Sequence, residues 1–191
     1  MAGSDTKERI LEAAYRCVAR WGLSKTSVED VAKEANLSRS TLYRYFPAGR
    51  EELVAAVVGW EHDRFFARLY EAVRDAASLE EVIERGLAFA HRAIAEHEVL
   101  QRVLLTEPEL LLPHLTVKNE RTLRLVAGFL TPYLEAHRLA AGVVVDEAAD
   151  FLARMALSYM AAPGRWDLDD PDQVSVLVRA ELLGGIVPPG R

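Results

Sequence analysis

The 191 residues, 50% apolar and 27% charged with a single cysteine, exclude a chiefly disordered chain and an intrachain disulfide, and point to a reducing compartment. The segment from Met1 to Arg9 lacks the apolar core of a signal peptide, and no apolar run nears the roughly 20 residues that cross a bilayer, so a cytoplasmic protein without a membrane partner is expected. A net charge of −6 argues on average against a polyanionic partner, but residues 1–55 hold nine Lys/Arg against eight Asp/Glu, net +1, whereas 56–191 hold fourteen against twenty-one, net −7.

Apolar positions recur at helical spacing along nearly the whole chain, and no stretch joins strand-like alternation to hairpin turns, which predicts an all-α protein. The first helix is expected to open with Asp5 or Thr6 as N-cap, to bury Ile10, Ala13, Ala14, Cys17 and Val18, and to leave at Gly22. Ser27-Val28-Glu29-Asp30 reads as a capping box with Asp in place of Glu, opening a short helix over about 28–35. Asn36 suits a tight turn because asparagine tolerates the left-handed conformation. Ser38 caps a third short helix, about 39–45, which must stop at Phe46 because the residue before Pro47 is biased away from helical geometry. A long amphipathic helix over about 50–76 follows, returning Leu53, Val54 and Val57 to the first three. Further helices are expected at about 79–96, 98–105, 108–114, 117–139, 146–162 and 171–184, separated by prolines and glycines; Val143-Val144-Val145 reads as a connecting loop and the tail from Pro188 as frayed.

Two short helices joined by a tight turn, the second led by small and hydroxyl residues, form a helix-turn-helix over about 27–46. Val28, Val31, Ala32, Leu37, Leu42 and Phe46 close its core, which leaves Arg39, Ser40, Thr41, Tyr43, Arg44 and Tyr45 for an outer surface. Residues 35–50 contain Arg39, Arg44 and Arg50 and no acid, a local basic patch suited to phosphate. Thr26, Ser27 and Ser38, at the amide-rich starts of the two helices, are expected to donate to phosphates, which positions a protein without reading sequence. Tyr43 and Tyr45 can donate phenolic hydrogen bonds to backbone on either flank. Arg39 and Arg44 are the candidates for base reading, since a guanidinium matches guanine with two hydrogen bonds, and Ser40 and Thr41 let the helix approach.

Residues of about 6–60 resemble the DNA-binding domain of the TetR/AcrR family of bacterial transcription regulators. The resemblance rests on Ile10-Leu11-Glu12-Ala13-Ala14, Trp21-Gly22-Leu23, Thr26-Ser27-Val28, and above all Ser38-Arg39-Ser40-Thr41-Leu42-Tyr43-Arg44-Tyr45-Phe46 with Glu52-Leu53. Two departures stand out. Asn36 replaces the commoner glycine at the turn, and Pro47-Ala48-Gly49-Arg50 is one residue longer than the usual proline-serine-lysine stretch, with Arg50 expected to take over the lysine's phosphate contact. The resemblance implies a helix-turn-helix domain over 4–64, a helical ligand-binding and dimerisation domain over 65–187, and a homodimer on a pseudo-palindromic double-stranded DNA operator.

Beyond residue 60 no catalytic motif is present, so no enzymatic activity is expected, and neither a metal site nor a cofactor is supported by the scattered His62, His91, His97, His114 and His137. Aromatic and soft side chains permit a pocket for a small apolar or amphipathic effector, with Trp60, Phe66, Phe89, His91, Phe129, Met155 and Tyr159 as candidate contacts; at helical spacing the same residues also suit a core. Small and apolar positions on the last two helices, Leu152, Ala156, Val178 and Leu182, are candidates for a four-helix dimer interface, or complete the subunit's own core. A ligand-responsive repressor is the leading expectation. An activator or co-repressor-dependent regulator of the same fold is the alternative, followed by a helical enzyme and a protein-binding adaptor.

Overall fold

The computed structural model describes residues 2–110 and 120–188, which form α1 (Ala2–Trp21), α2 (Val28–Glu34), α3 (Arg39–Tyr45), α4 (Arg50–Val73), α5 (Leu79–Ala95), α6 (Glu98–Thr106), α7 (Glu120–Ala136), α8 (Val145–Ala161) and α9 (Pro171–Leu177). Most of the helix expected over 108–114, the opening of the one expected over 117–139, His114 and the tail from residue 189 lie outside the described residues. The chain divides into two compact units, Met1–Ala67 with His97–Leu112, and Arg68–Glu96 with Pro113–Arg191. The first unit therefore takes in a segment that the division at 64/65 had put with the C-terminal domain.

In the first unit α1 begins at Ala2 rather than after a cap at Asp5 or Thr6. Asp5 instead sits in the first turn, where a carboxylate meets the positive end of the helix dipole. The apolar stripe Ile10, Ala13, Ala14, Cys17 and Val18 is buried, and the helix leaves through Gly22 at φ 88°. Ser27 closes a true capping box: its hydroxyl accepts from the Asp30 amide at 3.2 Å and the Asp30 carboxylate accepts in return. Asn36 has φ 53°, the left-handed conformation the turn requires. Ser38 accepts from the Thr41 amide at 3.1 Å and so opens α3. Val28, Val31, Ala32, Leu42, Phe46, Leu53 and Val57 join Ile10, Ala13, Ala14 and Cys17 of α1 in one core. α4 stops at Val73, three residues short of the expected 76.

His97 caps α6 through Nδ1, which accepts from the Leu100 amide at 3.1 Å. Its ring meets Tyr15 edge-on at 6.1 Å, and its Nε2 lies 3.3 Å from Glu61, which fixes the start of α6 within the first unit.

In the second unit Ser78 caps α5, and Asp170 caps α9 with Pro171 in the first turn, where its missing N–H has no partner to lose. Val144 is extended at φ −97° and connects as expected, but Val145, expected in the same loop, already opens α8. The last helix is not the uninterrupted 171–184 segment of the sequence reading. α9 passes into a π turn over Val178–Leu182, in which the Leu183 amide reaches Val178 O at 2.8 Å.

The core of this unit joins α5, α7, α8 and α9 through Leu79, Ile83, Leu87, Leu130, Leu134, Ala149 and Leu177. Leu152, Val178 and Leu182, expected at a dimer interface, belong to this core instead, at 2%, 0% and 1% exposure. Their side chains are consumed in closing the subunit. Ala156 packs half-buried against the same core, and the large apolar groups left exposed on these helices are Phe151 and Val176.

Candidate nucleic-acid interface

α3 presents a polar surface because its apolar side chains are used up: Leu42 is buried within it and Phe46 just after it. Ser38, Arg39, Ser40 and Arg44 are exposed, while Thr41, Tyr43 and Tyr45 are half-buried, the two tyrosines resting against the core of the first unit. The Arg39 guanidinium lies over the Tyr43 ring at 5.4 Å, and that of Arg44 lies over the Tyr45 ring at 5.5 Å. Each phenol thus serves as a platform for an arginine, a geometry that holds the cation without neutralising it. The Ser38 hydroxyl lies 2.9 Å from that of Ser40 and 2.8 Å from that of Thr41. The hydroxyl cluster and Arg39 stand at the start of this short helix and Arg44 in its last turn, so both ends of α3 offer groups suited to phosphate oxygens and base edges.

Two of the candidate phosphate contacts are spent inside the protein, which corrects the sequence expectation. Thr26 is buried at 5% exposure, and its hydroxyl donates to Gly22 O at 2.7 Å. Arg50, expected at a phosphate, donates through Nε to Thr26 O at 3.1 Å and through Nη2 to Leu23 O. The residue that opens α4 therefore ties down the loop ahead of α2. Ser27 is occupied by its capping box, which leaves α2 with an intact start.

Two acids escaped the sequence reading. Glu29, in the first turn of α2, pairs with Arg39 at 2.9 Å; its position ten residues earlier, across a helix-turn-helix, was the available signal. Glu107 accepts from the Ser24 amide at 3.0 Å and from the Ser24 hydroxyl. Desolvation pushes the Glu107 carboxyl up, but the Ser24 hydroxyl, the Ser24 and Leu23 amides and Arg50 outweigh it and hold the group below its ordinary range. Arg102 adds a bond from the same segment to Ala19 O. The loop between α1 and α2 is thereby gripped by Arg50 and by the α6 segment.

The candidate effector contacts are divided between the two units. Trp60 belongs to the first unit, half-buried against its core, edge-on to Tyr15 at 6.2 Å and covered by Arg64 at 4.6 Å. Phe66 lies in the same unit, edge-on to Phe65 at 5.4 Å. In the second unit Phe129, Met155 and Tyr159 are half-buried against the core, and the Tyr159 hydroxyl donates to Glu181. Phe89 is half-buried on α5, and His91 stands 3.6 Å from Asp169. Among the described residues no group of three or more His, Cys, Asp or Glu is placed to hold a metal, and no helix is long and apolar enough to cross a membrane.

Comparison with known proteins places this arrangement. The family model for bacterial regulatory proteins of the tetR family matches residues 10–57, and that for the bacterial tetracycline repressor C-terminal domain matches residues 78–180. The HTH-type transcriptional regulator MT1294 of Mycobacterium tuberculosis is 27% identical over 198 residues, covering 99% of this chain and 93% of that protein. YuxN of Bacillus subtilis, also an HTH-type regulator, is 28% identical over 94 residues, 49% of this chain but only 32% of that longer protein. Among solved structures, the TetR family repressor AlkX from Dietzia superposes with a TM-score of 0.67 at 23% identity, covering 94% of this chain and 96% of that one. The fatty acid degradation regulator FadR from Bacillus halodurans gives 0.54 at 18%, covering 93% and 96%; these two likenesses are of fold. With family models matched across both of its parts, the chain belongs to the TetR family and is a DNA-binding transcriptional regulator.

Proposed function

We propose that the protein is a ligand-responsive repressor whose dimer grips a pseudo-palindromic operator through α3. The observation that carries this reading is the exposed surface of Ser38, Arg39, Ser40 and Arg44, with both guanidiniums braced on tyrosine rings. Arg39 and Arg44 read base edges; Ser38, Ser40, Thr41 and the phenols of Tyr43 and Tyr45 meet the backbone on either side. One such short helix binds weakly, so two copies about one helical turn apart are needed.

Phe151 and Val176, at 42% and 47% exposure on α8 and α9, are the apolar groups a second copy would cover, with Ala156 small enough to admit a partner helix. The effector is apolar or amphipathic and lodges in the C-terminal unit near Phe89, Phe129, Met155 and Tyr159. In support stand the soft, half-buried character of these side chains and two fold neighbours named for n-alkane biodegradation and fatty acid degradation. Effector binding lowers operator affinity to the extent that it favours a conformation in which the two α3 helices no longer match adjacent grooves. The compartment is the cytoplasm, where the operator is.

Selection of genomic fragments by the purified protein at two salt concentrations tests the proposal. Recovery of a short inverted repeat at low salt, released as salt rises, is the expected result. Enrichment that ignores salt, or of sequences without two-fold symmetry, contradicts it.

A further inference from the structure

Base reading by an arginine depends on where its guanidinium is held, because an exposed arginine has several rotamers and only some direct two donors at a guanine. Arg39 is constrained from two sides. The Tyr43 ring lies beneath its plane at 5.4 Å, and the Glu29 carboxylate, from the neighbouring helix, meets its Nε at 2.9 Å. Arg44, by contrast, rests on Tyr45, and among the described residues no carboxylate pairs with it.

An acid on a surface offered to DNA repels phosphate and works against affinity. Both partners are largely exposed, Arg39 at 64% and Glu29 at 44% of the side chain, so the pair adds little to folding stability. Its consequence is directional. A carboxylate at Nε leaves the edge carrying Nη1 and Nη2, the pair of donors that fits O6 and N7 of one guanine.

Resting on the reading of α3 as the base-reading helix, we infer that Glu29 is a specificity-determining residue: it holds Arg39 in the orientation that recognises a guanine, exchanging general DNA affinity for discrimination at that base pair. Glu29 acts through Arg39 and is a positioning residue; it need not touch the DNA.

The test uses the full-length protein, a duplex recovered by genomic-fragment selection, its single-base-pair variants, and a random-sequence duplex of equal length. For Glu29→Ala, discrimination at the base pair read by Arg39 falls about three- to tenfold, part of what a bidentate contact supplies. Affinity for the random duplex rises, since one negative charge is gone. Glu29→Gln, which keeps an oxygen beside Nε but not the charge, keeps most of the discrimination and gains the same general affinity. This divergence between variants of equal charge is something a merely solvated acid cannot produce. If Glu29→Ala strengthens binding to every duplex alike and leaves the base preferences as in the wild type, Glu29 is only a surface charge and the inference is overturned. If Arg39→Ala also leaves the preferences unchanged, the inference falls together with the assignment of Arg39, whereas loss of discrimination in Arg39→Ala alone removes Glu29 and spares α3.

Discussion

Glu107 and Ser24 lie 83 residues apart in sequence, yet the carboxylate of one accepts both the amide, at 3.0 Å, and the hydroxyl of the other. Through this contact the end of α6 holds the loop that leads into the helix-turn-helix. Charge-assisted bonds to backbone are among the stronger hydrogen bonds, so Glu107→Ala is expected to lower stability by about 1–2 kcal/mol. Thermal unfolding, with Glu107→Gln as the variant that keeps an acceptor but loses the charge, checks the value. Equal stability of Glu107→Ala and the wild type would mean that the contact is incidental.

Gly22 borders the same carboxylate. It has φ +88°, and a Cβ built there would come 2.9 Å from Glu107 Oε1. Gly22→Ala combines left-handed strain with that collision and is expected to cost about 1–2 kcal/mol. Removing the carboxylate with Glu107→Ala should restore part of the loss, a coupling that a double-mutant cycle measures.

Acid sensitivity follows from the same group. A carboxyl whose folded pKa is depressed binds fewer protons in the native state, so its contribution is whole above the ordinary value of 4.5 and is lost as pH falls through the folded value. Glu34 behaves alike, lowered first by its hydrogen bond from Arg16 at 2.8 Å and then by Arg20. Stability should therefore fall between about pH 5 and pH 3, with a shallower slope in Glu107→Gln. Denaturant titrations across that range decide it; an unchanged slope would sink the assignment to Glu107.

Cys17 shifts in the opposite sense. Burial, then Glu34 and Asp30, push its thiol from 9.0 up to about 11. A raised folded value means that the native state keeps its proton longer, so this contribution is whole below pH 9 and disappears as pH rises through about 11. Native protein should react with iodoacetamide far more slowly than urea-unfolded protein at pH 8. Comparable rates would show that Cys17 is reached without unfolding.

Adjacent residues on α8 separate core from surface. Leu152 is 2% exposed and Phe151 is 42% exposed. Leu152→Ala is expected to lose about 2–5 kcal/mol of stability, whereas Phe151→Ser leaves the subunit folded and weakens self-association. Sedimentation of the two variants distinguishes these outcomes; dissociation without destabilisation in Leu152→Ala would reverse the assignment.

What could be read from the sequence was local. Ser27, Ser38 and Asn36 announce their roles because each cap or turn is completed within three residues, by Asp30, Thr41 and Lys33. Arg50 and Thr26 misled because their residue types suit phosphate: Thr26 instead donates to a carbonyl four residues back in its own loop, and the acceptors of Arg50, carbonyls of that loop, are met only once α4 packs against it. Glu107 carried no signal: one acid among many at the end of a helix, it gains a partner solely from long-range packing. Leu152, Val178 and Leu182 had the right spacing for an interface, but apolar spacing is the same on a face that closes a subunit and one that joins two. The π turn over Val178–Leu182 left no mark either, since its one-residue shift changes which face each side chain occupies without changing composition.

If α3 grips the operator, Arg44 carries much of that grip, being exposed and braced by Tyr45 rather than engaged in folding. Fluorescence anisotropy of a labelled, selected duplex, with Arg44→Ala compared to the wild type at matched oligomeric state, is the measurement. Binding weaker by about tenfold or more, with unfolding unchanged, is the predicted result; equal affinity at every salt concentration would place the DNA surface elsewhere on the protein.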